Sequence, residues 1–448
     1  MNELIERARK IGKDLELEKL ARAGFRREIR SRAQSHHTVT YPEQDMSRSV
    51  TSDEIFGKSS DIKDLALYLH IPFCTGKCVY CHYVSSPAFS WRVNSYLSAL
   101  EKEIGRVSRF SEVENSKVTS VYLGGGTPTF LSPSQLARLF NQIRQRFNLT
   151  SDAEFTVEAS PETILGKRGE ERLDVIAGYA NRLNLGVQTF NDYILAAMKR
   201  RHNHEQMNQA YTNASSRFKN INIDLIAGLP GQTLGVWEDD LDHAFFITQA
   251  PSVTTYPLKI KPEAGIWKMF REHPGQFPDE EEVLLMRIMT IEDARHFKYT
   301  ENPASWFTRS PEFVHRQQIH KWRDNGEMIG LGVSAYSYVN GWQYYNTASL
   351  DEYLASLKDW KLSIVKGARL TPEEQARRNI IFGLKCIEID KQSFKDRHGF
   401  FPEEKFEDNL RRLEKLGLVN ISDRAIKLTY TGRLFSEEVA RSFIKDGK

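Results

Sequence analysis

From residue 65 onward, short apolar runs alternate with helical stretches, and this alternation restricts the chain to few folds. The runs cover residues 65–70, 118–123, 155–158, 182–186, 221–226 and 253–257. Helical patterns lie between them, at 94–107 and at 132–147, where Ser132-Pro133 makes a capping and first-turn pair. Strand–helix units in series imply parallel strands joined by right-handed crossovers. Six such strands predict an α/β fold built on a partial (β/α)6 barrel, not a closed eightfold one.

The remaining segments are placed around this core. Residues 1–64 read as an N-terminal helix, over about residues 1–34, followed by a polar arm. The helix carries Arg26, Arg27, Arg30 and Arg32 at its end, a pattern that fits a solvated face or a dipole partner. Residues 65–300 form the barrel unit and 301–370 an extension that closes it. After residue 257 the pattern loosens, with a helix expected at 279–296, a glycine-bearing turn at 330–335 and a helix at 349–361. Residues 371–448 turn mainly helical and end in a helix, a glycine turn and two short β-rich runs, the outline of a winged helix. With 448 residues, two or three domains are expected. A net charge of +3 gives no global reason to bind nucleic acid. No apolar run is long enough for a membrane span, and the charged start lacks a signal-peptide core. Of four cysteines, three are clustered, which fits a reducing compartment. A cytoplasmic monomer is expected.

In parallel β/α folds the loops after the strand C-termini form the active face. The first strand delivers Cys74, Cys78 and Cys81 there, in a C-x3-C-x2-C pattern. Three thiolates can hold three irons of a [4Fe-4S] cluster and leave the fourth iron open. Structural zinc usually takes four protein ligands, and a disulfide would leave one of three clustered cysteines over. Cys386 lies far along the chain in an apolar helix and reads as a core residue. The second strand ends in Gly124, Gly125 and Gly126, which allow close backbone approach to a ligand. Glu158, Gln188 and Asp224 follow at the next strands, with Gly228-Leu229-Pro230-Gly231-Gln232 beyond. Neither a dinucleotide fingerprint nor a P-loop is present.

The cysteine loop resembles the signature of the radical S-adenosylmethionine (SAM) superfamily. More narrowly, the segments 68–74, 123–129, 184–190, 222–232 and 329–338 resemble the oxygen-independent coproporphyrinogen III oxidase (HemN-like) family. The resemblance implies that Cys74, Cys78 and Cys81 ligate the cluster, with SAM chelating the open iron. It places Gly124, Gly125 and Gly126 at the SAM amino group and Glu158, Gln188, Arg200 and Asp224 around the rest of SAM. Tyr68 and Tyr80 would pack beside the cluster. An electron donor such as flavodoxin or ferredoxin is implied, as is a 5′-deoxyadenosyl radical that abstracts hydrogen.

The chain also departs from these relatives. His82-Tyr83 follows the third cysteine, where many relatives have Asp or Gly and then Phe; His82 is a proton-transfer group, a hydrogen-bond donor beside the cluster, or a solvated loop residue. Tyr336 stands where haem-related relatives often have His, so His82 and Tyr336 become the candidate catalytic residues. The leading expectation is the class C methylase and cyclopropanase branch, in which a second SAM donates a C1 unit to a peptide or small metabolite. The alternatives are porphyrinogen decarboxylation, with Lys259 and Lys261 as candidate propionate partners, and a haem-binding chaperone using His36, His37, His202 or His204.

Overall fold

The computed structural model describes residues 3–25, 40–56, 62–86 and 89–444. Six parallel strands lie side by side in chain order: β1 (Asp64–Ile71), β2 (Lys117–Gly125), β3 (Leu149–Ala159), β4 (Arg182–Gln188), β5 (Asn220–Ala227) and β6 (Ser252–Pro257). The six expected runs are all strands, each longer than its apolar stretch. Helices fill the connections, among them Ser90–Val107, Pro133–Arg146, Gly166–Ala177 and His204–Ser215. Ser132 caps the second of these and forms a reciprocal capping box with Gln135.

The sheet extends beyond the six. On the β6 side, β8 (Trp306–Thr308) adds antiparallel, with the two-residue β7 (Thr300–Glu301) at its edge. On the β1 side, β9 (Glu327–Leu331) pairs parallel, and β10 (Tyr336–Val339), β11 (Trp342–Asn346) and β12 (Ile364–Arg369) continue as an antiparallel meander. The result is one twelve-stranded sheet with β12 and β7 at its edges. Residues 330 and 331, expected in a turn, belong to β9. Gly330 misleads because glycine reads as a breaker, yet here it clears its neighbour: a Cβ would lie 2.3 Å from the Tyr336 carbonyl oxygen. The turn begins at Gly332, with φ of 99°.

Among its described residues the N-terminal segment begins with the helices Glu3–Asp14 and Leu17–Arg22. Arg26, Arg27, Arg30, Arg32, His36 and His37 lie outside the described residues. The arm lies along the meander edge, where Arg48 and Gly367 exchange backbone hydrogen bonds of 3.1 and 2.8 Å. After helix Pro372–Lys385, whose C-cap is the buried Cys386, come helices Lys391–His398 and Glu403–Lys415. A small antiparallel sheet of β13 (Glu388–Asp390), β14 (Val419–Ile421) and β15 (Ala425–Leu428) completes the winged-helix outline. Among the described residues, no helix is long and apolar enough to cross a membrane.

Candidate active site

The cysteine loop is tied down at both ends. Backbone N–H groups of Gly126 and Thr127 donate to the carbonyls of Ile71 and Phe73, each at 2.8 Å. Farther along, Val79 donates to Met198 at 3.1 Å and accepts from Ile266 at 2.7 Å. Gly126 must be glycine here, because a Cβ would lie 2.8 Å from two carbonyl oxygens and 3.0 Å from Cys74 Sγ. The three thiols are half-buried and free. Burial pushes Cys74 up to about 11 and raises Cys81 as well. A bound metal reverses that cost, since coordination removes the thiol proton. Thr127 Oγ1 and Arg200 Nη1 each lie 3.6 Å from a sulfur, of Cys74 and Cys78 respectively. Among the described residues no three His, Cys, Asp or Glu side chains converge on a single ion. Three free thiols on one loop fit a cluster in which each sulfur binds its own iron.

Beside this loop the barrel opens. Toward their C-terminal ends strands β1 to β6 are buried except at Pro257, which is exposed, and at Tyr68, Tyr122, Gly125, Glu158, Gly186, Gln188, Asp224 and Tyr256, which are partly exposed. Neighbouring strands place these side chains on one inner surface, because Tyr68 pairs with Tyr122, Gly186 with Asp224, and Ile226 with Tyr256. Their partial exposure marks a basin at the mouth of the sheet rather than a filled core. Tyr83 leaves 58% of its surface open there, and the ionisable groups around its phenol include Glu158, Tyr336 and Asp224.

Two short polar chains hold the basin carboxylates. Asn184 Nδ2 donates to Tyr122 Oη at 2.9 Å, and Tyr122 donates in turn to Glu158 Oε1 at 2.6 Å. The Gly125 N–H donates to the other Glu158 oxygen at 3.1 Å. In the second chain, Thr254 Oγ1 donates to Asn222 Oδ1 at 2.9 Å, and Asn222 Nδ2 donates to Asp224 Oδ1 at 2.7 Å. Burial raises both carboxyls above the usual range; Asp224 reaches about 7, with the Glu158 charge as a further cause. Such a pair is poised to accept hydrogen bonds from hydroxyls or an amine, which would offset the cost of burial. Gly124 leaves space for that ligand, since a Cβ would sit 2.7 Å from Tyr122 and 2.8 Å from Glu158.

Arg200 joins the cysteine loop to the basin. One guanidinium nitrogen donates to Ser160 Oγ at 2.9 Å and to the Gly186 carbonyl at 2.5 Å. Its buried Nε has no partner. Burial alone would weaken this cation, but Tyr80, Cys78 and Glu162 overcome that and strengthen it. Gln188 sits at a break in the β4–β5 register with φ of 76°, a left-handed conformation that costs a non-glycine residue. The break turns Gln188 toward the rim, and its Nε2 lies 3.0 Å from where a Gly186 Cβ would be.

The two candidate catalytic residues occupy different places. His82 is half-buried and stacks on Tyr83 with ring centroids 4.6 Å apart. Burial and then Lys261 lower its basicity, opposed by Glu263; neither basin carboxylate is among its charged neighbours. Tyr336 begins β10, and its Oη accepts from Lys321 Nζ at 2.9 Å. His202 is buried with its Nδ1 3.6 Å from Glu162, while His204 packs against Phe190 and His243. Sequence reading missed Tyr122, Asn184, Asn222, Thr254 and Tyr256. Strand alternation was the available signal, since Tyr122 stands two residues before Gly124 and Asn222 two before Asp224.

Residues 68–244 match the Radical SAM superfamily, and residues 370–435 match the HemN C-terminal domain. The heme chaperone HemW of Bacillus subtilis (strain 168) is 29% identical over 383 residues, covering 84% of this chain and 98% of that protein. The oxygen-independent coproporphyrinogen III oxidase of Escherichia coli (strain K12) is 27% identical over 407 residues, 85% of each chain. The solved structure of coproporphyrinogen III oxidase (HemN) from Escherichia coli superposes with a TM-score of 0.74 at 25% identity, covering 88% of this chain and 96% of that one. A radical SAM domain, which uses a [4Fe-4S] cluster and SAM, is therefore joined in this chain to a HemN C-terminal domain.

Proposed function

We propose that the protein is a radical SAM enzyme acting on a tetrapyrrole, in the manner of an oxygen-independent coproporphyrinogen III oxidase. The observation that carries this reading is the composition of the basin. Phenols of Tyr68, Tyr83, Tyr122, Tyr256 and Tyr336 surround two carboxylates, and lysines stand at the wall and rim. Broad aromatic surface with cations at the edge suits a large, flat polycarboxylate. Lys259 follows β6 at the rim, and burial lowers it to about 7, with Glu437 opposing; an acid group on the substrate would restore its charge. The expected C1 transfer from a second SAM draws no support from the relatives above, and the tetrapyrrole reading takes its place.

Cys74, Cys78 and Cys81 would hold the cluster; Gly124, Gly125, Gly126, Glu158, Gln188, Arg200 and Asp224 would hold SAM, with Tyr68 and Tyr80 beside them. When bound, the cluster and SAM supply one-electron chemistry, the reductive cleavage of SAM and removal of a hydrogen atom from the substrate. Tyr122 and the Gly125 N–H fix Glu158 so that its carboxylate needs no reorganisation to accept from a ligand. Arg200 spans the cysteine loop and the β4 bulge and holds their spacing. The phenol-lined wall limits water near the reacting carbon. An external one-electron donor is required.

Anaerobically reconstituted protein, given SAM, a reductant and coproporphyrinogen III, is expected to release CO2 together with 5′-deoxyadenosine. 5′-Deoxyadenosine without CO2 would overturn the tetrapyrrole-oxidase reading. The second reading, haem binding, is favoured by one observation: the HemW relative is covered over 98% of its length. Of the two described histidines named for that role, His202 is buried and His204 is half-buried, which leaves His204 as the accessible candidate ligand. That reading expects a stoichiometric Soret band on haem addition that is lost in His204→Ala, and no CO2.

A further inference from the structure

Lys321 is a buried cation without a counter-charge. It stands on the short helix Arg316–Trp322 and is only 7% exposed. Among the described residues, no carboxylate pairs with it. Its one hydrogen bond goes to a neutral acceptor, Tyr336 Oη, at 2.9 Å, and its ammonium lies 5.4 Å from the Tyr336 ring and 5.3 Å from the Trp322 ring. An ammonium in such surroundings is costly unless an anion or further acceptors reach it. Nearby, Trp322 Nε1 is buried with no hydrogen-bond partner, and neither nitrogen of the buried His315 imidazole is hydrogen-bonded, its Nε2 lying 3.6 Å from Glu154. Burial, Arg182 and Lys321 itself keep His315 neutral.

The same group borders the basin. Tyr336 is half-exposed and counts among the ionisable neighbours of Tyr68 and Tyr83. Gly330, in register with Tyr68, brings the Tyr336 backbone against β1's neighbour because it has no Cβ. From the other side, Trp322 meets Trp306 edge-on at 5.4 Å, and Trp306 meets the basin residue Tyr256 edge-on at 5.6 Å. Lys321 therefore lies behind the phenol wall, one hydrogen bond from the open space.

We propose that Lys321 and the Tyr336 hydroxyl form a carboxylate-binding subsite in the basin wall, which takes one acid group of the substrate. The subsite deepens the tetrapyrrole reading, since it would orient one propionate, and it rests on that reading only for the identity of the acid. Lys321 supplies the charge, and Tyr336 supplies an O–H donor once it is released from accepting alone.

Anaerobic titration calorimetry on the reconstituted protein tests this with three probes: coproporphyrin III, its tetramethyl ester and glutarate. Wild type is expected to bind the free porphyrin acid at least tenfold more tightly than the ester. Lys321→Met should lose that preference, while Lys321→Arg keeps most of it. Equal binding of acid and ester by wild type overturns the proposal, as does unchanged acid affinity in Lys321→Met. Lys321→Gln, which retains a donor toward Tyr336, replaces the Met variant if circular dichroism shows that variant to be unfolded. Lys321-dependent glutarate binding without porphyrin binding would uphold the subsite and remove the tetrapyrrole reading. Porphyrin binding that ignores Lys321 would do the reverse, and no carboxylate binding at all would overturn the proposal.

Discussion

Asp224 shows how a single side chain records the purpose of the basin. It is held by Asn222, lies near Glu158, and is raised by burial to about 7. An unfolded Asp titrates near 3.9, so the folded chain, at about 7, binds this proton more tightly than the unfolded chain does. The sign follows: this residue contributes most at low pH, and that contribution is lost as pH rises toward and through 7. Thermal unfolding of the ligand-free protein should therefore show wild type losing stability relative to Asp224→Asn between pH 5 and 8. A wild type that gains on the variant over that interval would contradict the assignment. The site thus stores an electrostatic cost that a hydroxyl- or amine-bearing ligand relieves.

At the scale of elements, the loops after β4 and β5 are joined by one residue that carries no motif. Asp240, in helix Leu234–Leu241, accepts from Thr189 Oγ1 at 3.0 and 2.9 Å, from the Phe190 N–H at 2.6 Å and from Gln232 Nε2 at 3.0 Å. Gln232 in turn accepts the N–H groups of Gly228 and Leu229 at 2.7 and 3.1 Å. Asp240→Ala strands three buried donors and should cost about 3 kcal/mol or more in urea unfolding; a loss under about 1 kcal/mol would show that the loops hold themselves. Sequence reading found Gln232 within its glycine-rich run but not its carboxylate partner, because an Asp in a helix looks like solvated surface. It found the six parallel strands because burial on both faces leaves continuous apolar runs. It missed β7 to β12, which are short, glycine-bearing or antiparallel at an edge. Cys74, Gly124, Glu158, Gln188 and Asp224 could be picked out because each stands at a strand end or in a motif, whereas Arg200 came only from the family resemblance. Lys321 and Tyr256 could not, since only the fold turns their positions into a wall.

Across the whole molecule, the HemN C-terminal domain is clamped to the sheet by buried charge. Glu301, on β7, pairs with Arg287 and with Arg433, the latter at 3.3 Å, and accepts the Ser305 N–H at 2.7 Å. Across the same boundary the Phe382 ring stacks on Trp322 at 6.1 Å, while Lys385 and Glu437, paired at 2.8 Å, tie the C-terminal domain to itself. Trp322 also packs on Trp306 and so backs the basin wall. Glu301→Ala leaves Arg287 without its carboxylate and is expected to cost about 3–5 kcal/mol, read as a lowered unfolding midpoint; an unchanged midpoint would contradict the clamp.

The central claim is that the cysteine loop and the carboxylate basin together cleave SAM. Mass spectrometry of the reconstituted, reduced protein incubated with SAM tests it most directly. Wild type should form 5′-deoxyadenosine and methionine, and Cys78→Ala should form none; no cleavage by wild type, or undiminished cleavage by the variant, would contradict the account.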